Sequence, residues 1–285
     1  MLRRWSIPLA TVVVAVGSLL GLAAGNASAA TVHHPSTTTA RPGGAAVHGF
    51  KPGGVMLRPS GAARAIERNG HFQAESTNWS GYAVTGSNGS FTSVSASWTQ
   101  PTATCTSSGG RRSSDEYAAF WVGLDGYSSD SVEQTGSDSD CDGRTPDYYG
   151  WYEMYPADPV YYTNTVKPGD AMSASVTFSG TDTYTLVLKD STQGWTQTQT
   201  IDESGFDRSS AEVITEAPCC TASGGILPLS DFGTINYTAS SDNGSSMGTQ
   251  SPTSIVMIDN SGLDKDSTSS MSSTGAFSNT WIRSS

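Results

Sequence analysis

From Thr77 to Ile282 the chain holds no sustained helical period. Instead, short runs of alternating apolar and polar residues stop repeatedly at Gly, Pro, Asn or Asp. Alternation with a period of two is the signature of half-buried strands. The runs fall at Asn78–Val84, Phe91–Trp98, Tyr117–Leu124, Val132–Gly136, Tyr148–Tyr155, Ala171–Phe178 and Tyr184–Asp190. They continue at Gly194–Thr200, Ala211–Glu216, Thr234–Tyr237, Ser254–Ile258 and Phe277–Ile282. So many strands at regular spacing, with turn residues between them, predict an all-β sandwich of two long antiparallel sheets, concanavalin-like or jelly-roll-like. Gly86-Ser87-Asn88-Gly89 predicts a hairpin between the first two runs. Only 14% of residues are charged, so Ser, Thr, Asn and Gln cover the surface.

The first 75 residues differ in kind. Arg3 and Arg4 precede an apolar stretch from Ile7 to Ala24, and Ala27-Ser28-Ala29 fits a small-residue cleavage site. Residues 1–30 therefore read as a secretory signal peptide, and the expected location is secreted, extracellular. No later apolar run approaches the roughly 18 residues of a membrane span. Residues 31–75 hold Pro35, Pro42, Pro52 and Pro59 among many Gly, Ala and Thr, with no apparent core. They read as a mostly irregular propeptide, with its best helix over Gly61–Asn69. Residues 76–285 form the sandwich domain.

Charge divides at the same place. Residues 1–75 carry seven bases and two acids, net +5, whereas residues 76–285 carry eight bases and 24 acids, net −16. A basic segment ahead of an acidic domain can dock on it while carboxylates are ionised and loosen in acid. The expected partner of the domain is thus its own propeptide, as an inhibitor near neutral pH. The negative charge argues against nucleic acid. All four histidines (His33, His34, His48, His71) precede residue 76. A catalytic domain without histidine excludes Ser-His-Asp and Cys-His chemistry and the usual zinc sites, leaving carboxylates, amides, hydroxyls and lysine.

Two stretches carry candidate chemistry. Phe120-Trp121-Val122-Gly123-Leu124-Asp125-Gly126 followed by Val132-Glu133-Gln134-Thr135-Gly136 reads as strand, turn, strand. Alternation puts Gln134 on the face of Val132, and Glu133 on the opposite face with Thr135. In Ala211-Glu212-Val213-Ile214-Thr215-Glu216, the residues Glu212, Ile214 and Glu216 share a face, and Pro218 ends the strand. A carboxylate there, flanked by Ile214 and Pro218, is a candidate for proton transfer. Four cysteines in a secreted chain allow three pairings. Cys105–Cys141 is preferred, because the two bracket the Trp121 hairpin. Closing a loop of about 35 residues stabilises by roughly 3–4 kcal/mol in the chain-entropy model. Adjacent Cys219 and Cys220 form a vicinal bridge or stay free.

Several elements occur together in a fixed order: Asn78-Trp79-Ser80-Gly81-Tyr82, Val94 to Trp98 with Pro101, Phe120 to Gly126 and Gln134-Thr135-Gly136. After them come Trp151-Tyr152-Glu153-Met154-Tyr155-Pro156, Ala211 to Glu216, and Asp231-Phe232-Gly233-Thr234. In this the chain resembles the eqolisin family of glutamic peptidases, pepstatin-insensitive acid endopeptidases, over nearly all of residues 76–285. The resemblance implies a sandwich of two long antiparallel sheets and a catalytic pair, Gln134 and Glu216. It implies that Trp79, Trp121, Asp125, Asp138 and Tyr155 line or support the substrate cleft. It implies protein or peptide substrates, and no metal or organic cofactor. The chain departs from fungal members after Glu216, where Ala217-Pro218-Cys219-Cys220 replaces an acidic and aromatic stretch, and the loop from Gly126 to Gln134 is shorter.

Two alternatives follow from other residues. Glu133 or Glu153 with Glu216 would make a sandwich-fold glycosidase. Trp79, Trp121, Trp151 and Trp195 would make a stacking platform for a carbohydrate-binding or adhesion module. Nothing in the sequence calls for an oligomer, and a monomer is expected.

Overall fold

The computed structural model describes residues 55–58, 66–68, 71–105, 115–219 and 225–285. The expected signal peptide, most of the expected propeptide and Cys220 lie outside the described residues.

Two sheets account for the described chain, with a single 3₁₀ turn at Met247–Thr249. The first sheet runs, in spatial order, β1 (Ile66–Arg68), β2 (His71–Ser76), β15 (Thr253–Met257), β3 (Trp79–Thr85), β12 (Ser210–Glu216), β5 (Ala119–Leu124), β6 (Val132–Asp142), β7 (Thr145–Tyr155) and β8 (Val160–Tyr161). The second runs β11 (Trp195–Asp202), β10 (Thr183–Asp190), β9 (Ala171–Phe178), β4 (Ser93–Thr99), β13 (Thr234–Asp242), β17 (Phe277–Trp281) and β16 (Asp266–Thr268), with β14 (Ser245–Ser246) paired to β13. Pairing is antiparallel except between β2 and β15. The all-β sandwich expected from the alternation is therefore the observed fold.

Two local expectations fail. The predicted helix over Gly61–Asn69 is absent from its described part, because Ile66–Arg68 is a strand paired with His71–Gln73. Alanine-rich helix propensity is a weak preference, and pairing to a strand already anchored on β15 outweighs it. Nor do β3 and β4 form a hairpin. β3 pairs with β12 and β15 in one sheet, and β4 with β9 and β13 in the other. Trp79 to Val84 are buried on both faces, so β3 needs cover on each side that a hairpin partner alone would not give.

The main core lies between the sheets. Tyr82, Val84, Phe120, Val122, Leu124, Ala211 and Val213 face Val94, Trp98, Val176, Leu186, Leu188, Tyr237 and Phe277. A second apolar cluster covers the opposite face of the first sheet: Trp79, Ala83, Ala119, Trp121, Val132, Trp151, Ile214 and Ile255, joined by Met56 and Ala74. Every β12 residue is buried, Glu212 and Glu216 included. The preferred disulfide is present between Cys105 and Cys141. Cys219 is also disulfide-bonded, and no described cysteine is free.

Candidate active site

The registers of β3, β12, β5, β6 and β7 place three rows of side chains on the second face. Trp79, Glu216, Ala119, Asp138 and Tyr149 lie opposite one another in turn. The next row is Gly81, Ile214, Trp121, Gly136 and Trp151, and the third is Ala83, Glu212, Gly123, Gln134 and Glu153. Gln134 and Glu216 thus share a face but sit two rows apart. The face argument also holds for Glu133, which sits beside Leu124 and Met154 on the inner side.

The middle row connects them. The Trp121 indole donates from Nε1 to Glu216 Oε2 at 2.9 Å. The ring's other edge reaches over Gly123, where an added Cβ would stand 2.8 Å from Trp121 Cζ3 and 3.2 Å from Gln134 Cβ. Gly123 is bare so that the indole can lie along the sheet. Gly136 is bare because an added Cβ would stand 2.2 Å from the Phe120 carbonyl oxygen and 2.6 Å from Trp121 Cβ. Trp79 meets the same indole edge-on at 4.9 Å between ring centroids, a favoured aromatic geometry.

Each candidate catalytic group has its own support. Glu216 accepts from Trp121, and its Oε1 accepts from Asn78 Nδ2 at 3.2 Å. Gln134 donates from Nε2 to Glu153 Oε2 at 2.8 Å. Because an ionised carboxylate only accepts, this bond fixes which way the amide faces. It leaves one N–H of Gln134 uncommitted, and Oε1 has no protein partner. Gln134, Glu153 and Glu216 are all fully buried.

The remaining expected site residues divide. Asp138 accepts from Trp151 Nε1 at 2.6 Å, in the row of Glu216. Burial pushes its carboxyl well above the usual range, and nearby Asp140 and Glu216 push it further. Tyr155 packs on the second-face cluster at the end of β7. Asp125 instead supports from behind. It accepts the amides of Arg208 and Ser209 at 2.6 and 2.8 Å and so ties the turn after β5 to the start of β12. That turn takes left-handed backbone at Asp125 and Gly126, φ 70° and 92°, as its Asp-Gly sequence favours. The four tryptophans form no single platform, because Trp195 belongs to the second sheet. Sequence reasoning missed Asn78 as a support and saw Glu153 only as a glycosidase acid. Nothing in local spacing pairs Asn78 with Glu216, 138 residues away.

A family model described as the Peptidase A4 family matches residues 77–281. The chain belongs to that family. It is a glutamic endopeptidase, and this sets aside the glycosidase and binding-module readings. Solved structures agree. Scytalido-glutamic peptidase with a transition-state analogue inhibitor is 26% identical at TM-score 0.61, covering 72% of this chain and 98% of its own. SCP-B, an eqolisin in complex with the tripeptide Ala-Ile-His, is 26% identical at TM-score 0.57, with the same coverage. Aspergilloglutamic peptidase from Aspergillus niger is 25% identical at TM-score 0.52, covering 59% of this chain and 99% of its own. No curated protein sequence matches the chain.

Proposed function

We propose that the peptidase works in acid, outside the cell, with Glu216 as general base and then general acid, and Gln134 as the oxyanion donor. The observation that carries this is the Trp121 indole, bonded to Glu216 at one end and resting beside Gln134 at the other. A peptide lying along that ring meets both groups. Glu216 takes a proton from water, and the hydroxide adds to the scissile carbonyl carbon. The free N–H of Gln134 donates to the developing oxyanion. The C–N bond then breaks as Glu216 returns the proton to the leaving nitrogen. Both Glu216 oxygens already accept N–H bonds, as a desolvated carboxylate requires. An amide does not titrate, so Gln134 keeps its role as pH falls.

The test is cleavage of a denatured protein from about pH 2 to about pH 7 with pepstatin present. Wild type is run beside Glu216→Gln and Gln134→Ala, each checked by circular dichroism. The expected result is pepstatin-resistant activity in acid, abolished by Glu216→Gln and reduced about 10²–10³-fold by Gln134→Ala. Undiminished activity in folded Glu216→Gln would overturn the assignment.

A further inference from the structure

Val55–Arg58 lies against the second face. The Asn78 side chain brackets this segment, accepting from the Leu57 amide at 2.7 Å and donating to the Val55 carbonyl at 3.2 Å. The Met56 amide donates to the Gly126 carbonyl at 3.0 Å. The Leu57 carbonyl accepts from the Thr77 amide and the Ser76 hydroxyl, both at 2.9 Å. Three successive residues are thus held by their main chain, which is how a cleft binds peptides of varied sequence. The same Asn78 amide nitrogen donates to Glu216, so the segment is gripped one residue from the proposed general base. One side chain is selected: Met56 is 6% exposed and joins the cluster of Trp79, Val132, Ile214 and Ile255. Arg58 stays outside, over the Tyr127 ring at 4.9 Å, with its guanidinium donating to the Tyr127 carbonyl.

We propose that Asn78, Gly126 and the Trp79 cluster form a peptide subsite that takes an apolar side chain of methionine's size, and that Val55–Arg58 is its built-in occupant. This rests on the peptidase reading above. It differs from docking by charge alone: among the described contacts of the segment, none is an ion pair, and the grip comes from amides and apolar burial. A substrate peptide reaches the subsite only after the segment leaves. A charged side chain at the Met56 position would be buried without a partner, so it is rejected.

The test uses the full chain carrying Glu216→Gln, so that no probe is consumed, and a fluorescein-labelled Val-Met-Leu-Arg peptide with blocked ends. The parent chain, with its subsite filled, gives little rise in anisotropy. Met56→Asp, and separately Gly-Ser replacement of residues 55–58, bind the probe at least about tenfold more tightly. A probe with Asp in place of Met does not bind them. In chains with native Glu216, the same two changes remove the lag before hydrolysis of a quenched peptide, whereas Met56→Leu keeps it. Equal probe binding by parent and variants, with both variants folded by circular dichroism, overturns the subsite. Probe binding as expected with no hydrolysis by any chain leaves the subsite standing and overturns the peptidase mechanism instead.

Discussion

Asp266→Asn should flatten the dependence of stability on pH. Asp266 is fully buried between the sheets, and its carboxylate accepts from the Ser80 hydroxyl. Burial raises its pKa from 3.8 to about 7, despite the Ser80 bond and the nearby Lys265 charge, with Asp264 adding to the rise. The partner Lys265 is itself held down, to about 8, by burial. A raised carboxyl favours the folded state when protonated. Its contribution is therefore complete below about pH 4 and is lost as pH rises to about 7. Roughly three pKa units at about 1.4 kcal/mol each give a loss on the order of 4 kcal/mol across that window. The hydrogen bonds suit the neutral acid. Ser80 has one hydrogen, and it also lies within reach of the Thr215 carbonyl while accepting from Asn279. A protonated Asp266 can donate to Ser80 and free that hydrogen for Thr215. Glu133, Glu212 and Asp138 are raised by burial as well, so the difference between the two proteins is the informative quantity. Urea unfolding followed by tryptophan fluorescence, at steps from about pH 3.5 to about pH 8 in a Glu216→Gln background, supplies it. Asparagine cannot ionise, and any cost of its extra N–H is an offset independent of pH. The variant should lose about 4 kcal/mol less than its parent between the ends of that range. An identical loss in both would refute the claim that Asp266 titrates there.

Glu153→Leu should lower kcat about tenfold with KM little changed, because the Gln134 amide loses the acceptor that orients it; an unchanged kcat would show that the amide needs no such partner. Gly136→Ala places a methyl 2.2 Å from the Phe120 carbonyl, so the urea midpoint should fall by the equivalent of about 1–3 kcal/mol. A midpoint within error of wild type would mean that the strands can part at no cost. Cys105→Ser should cost roughly 3–4 kcal/mol under oxidising conditions. Reduced wild type should lose at least as much, because the Cys219 bridge is opened as well, and an insensitive wild type would show that the Cys105–Cys141 bridge contributes little.

Much of the fold was legible because strand periodicity is local. The alternation in Ala171–Phe178 and Tyr184–Asp190 marks inward and outward residues without reference to any partner, and both became strands. The same parity separated Glu133 from Gln134. The site was legible only in part. Gln134 and Glu216 come from motifs, but their supports come from registers between distant strands. Trp121 reaches Glu216 across 95 residues of sequence, because β12 inserts between β3 and β5. The bare positions Gly123 and Gly136 read as weak strand residues until the indole that needs their space is in place.

The sequence by itself determined an all-β chain whose residues 76–285 contain no histidine. Those properties follow from composition and from the two-residue period of a strand, which need no knowledge of neighbours. Tertiary structure alone decided that Trp79–Thr85 and Ser93–Thr99 join different sheets, that Ile66–Arg68 is a strand, and that Asn78 faces both Glu216 and Val55–Leu57. In each case a weak local preference yields to burial on two faces and to main-chain bonds that only distant partners supply.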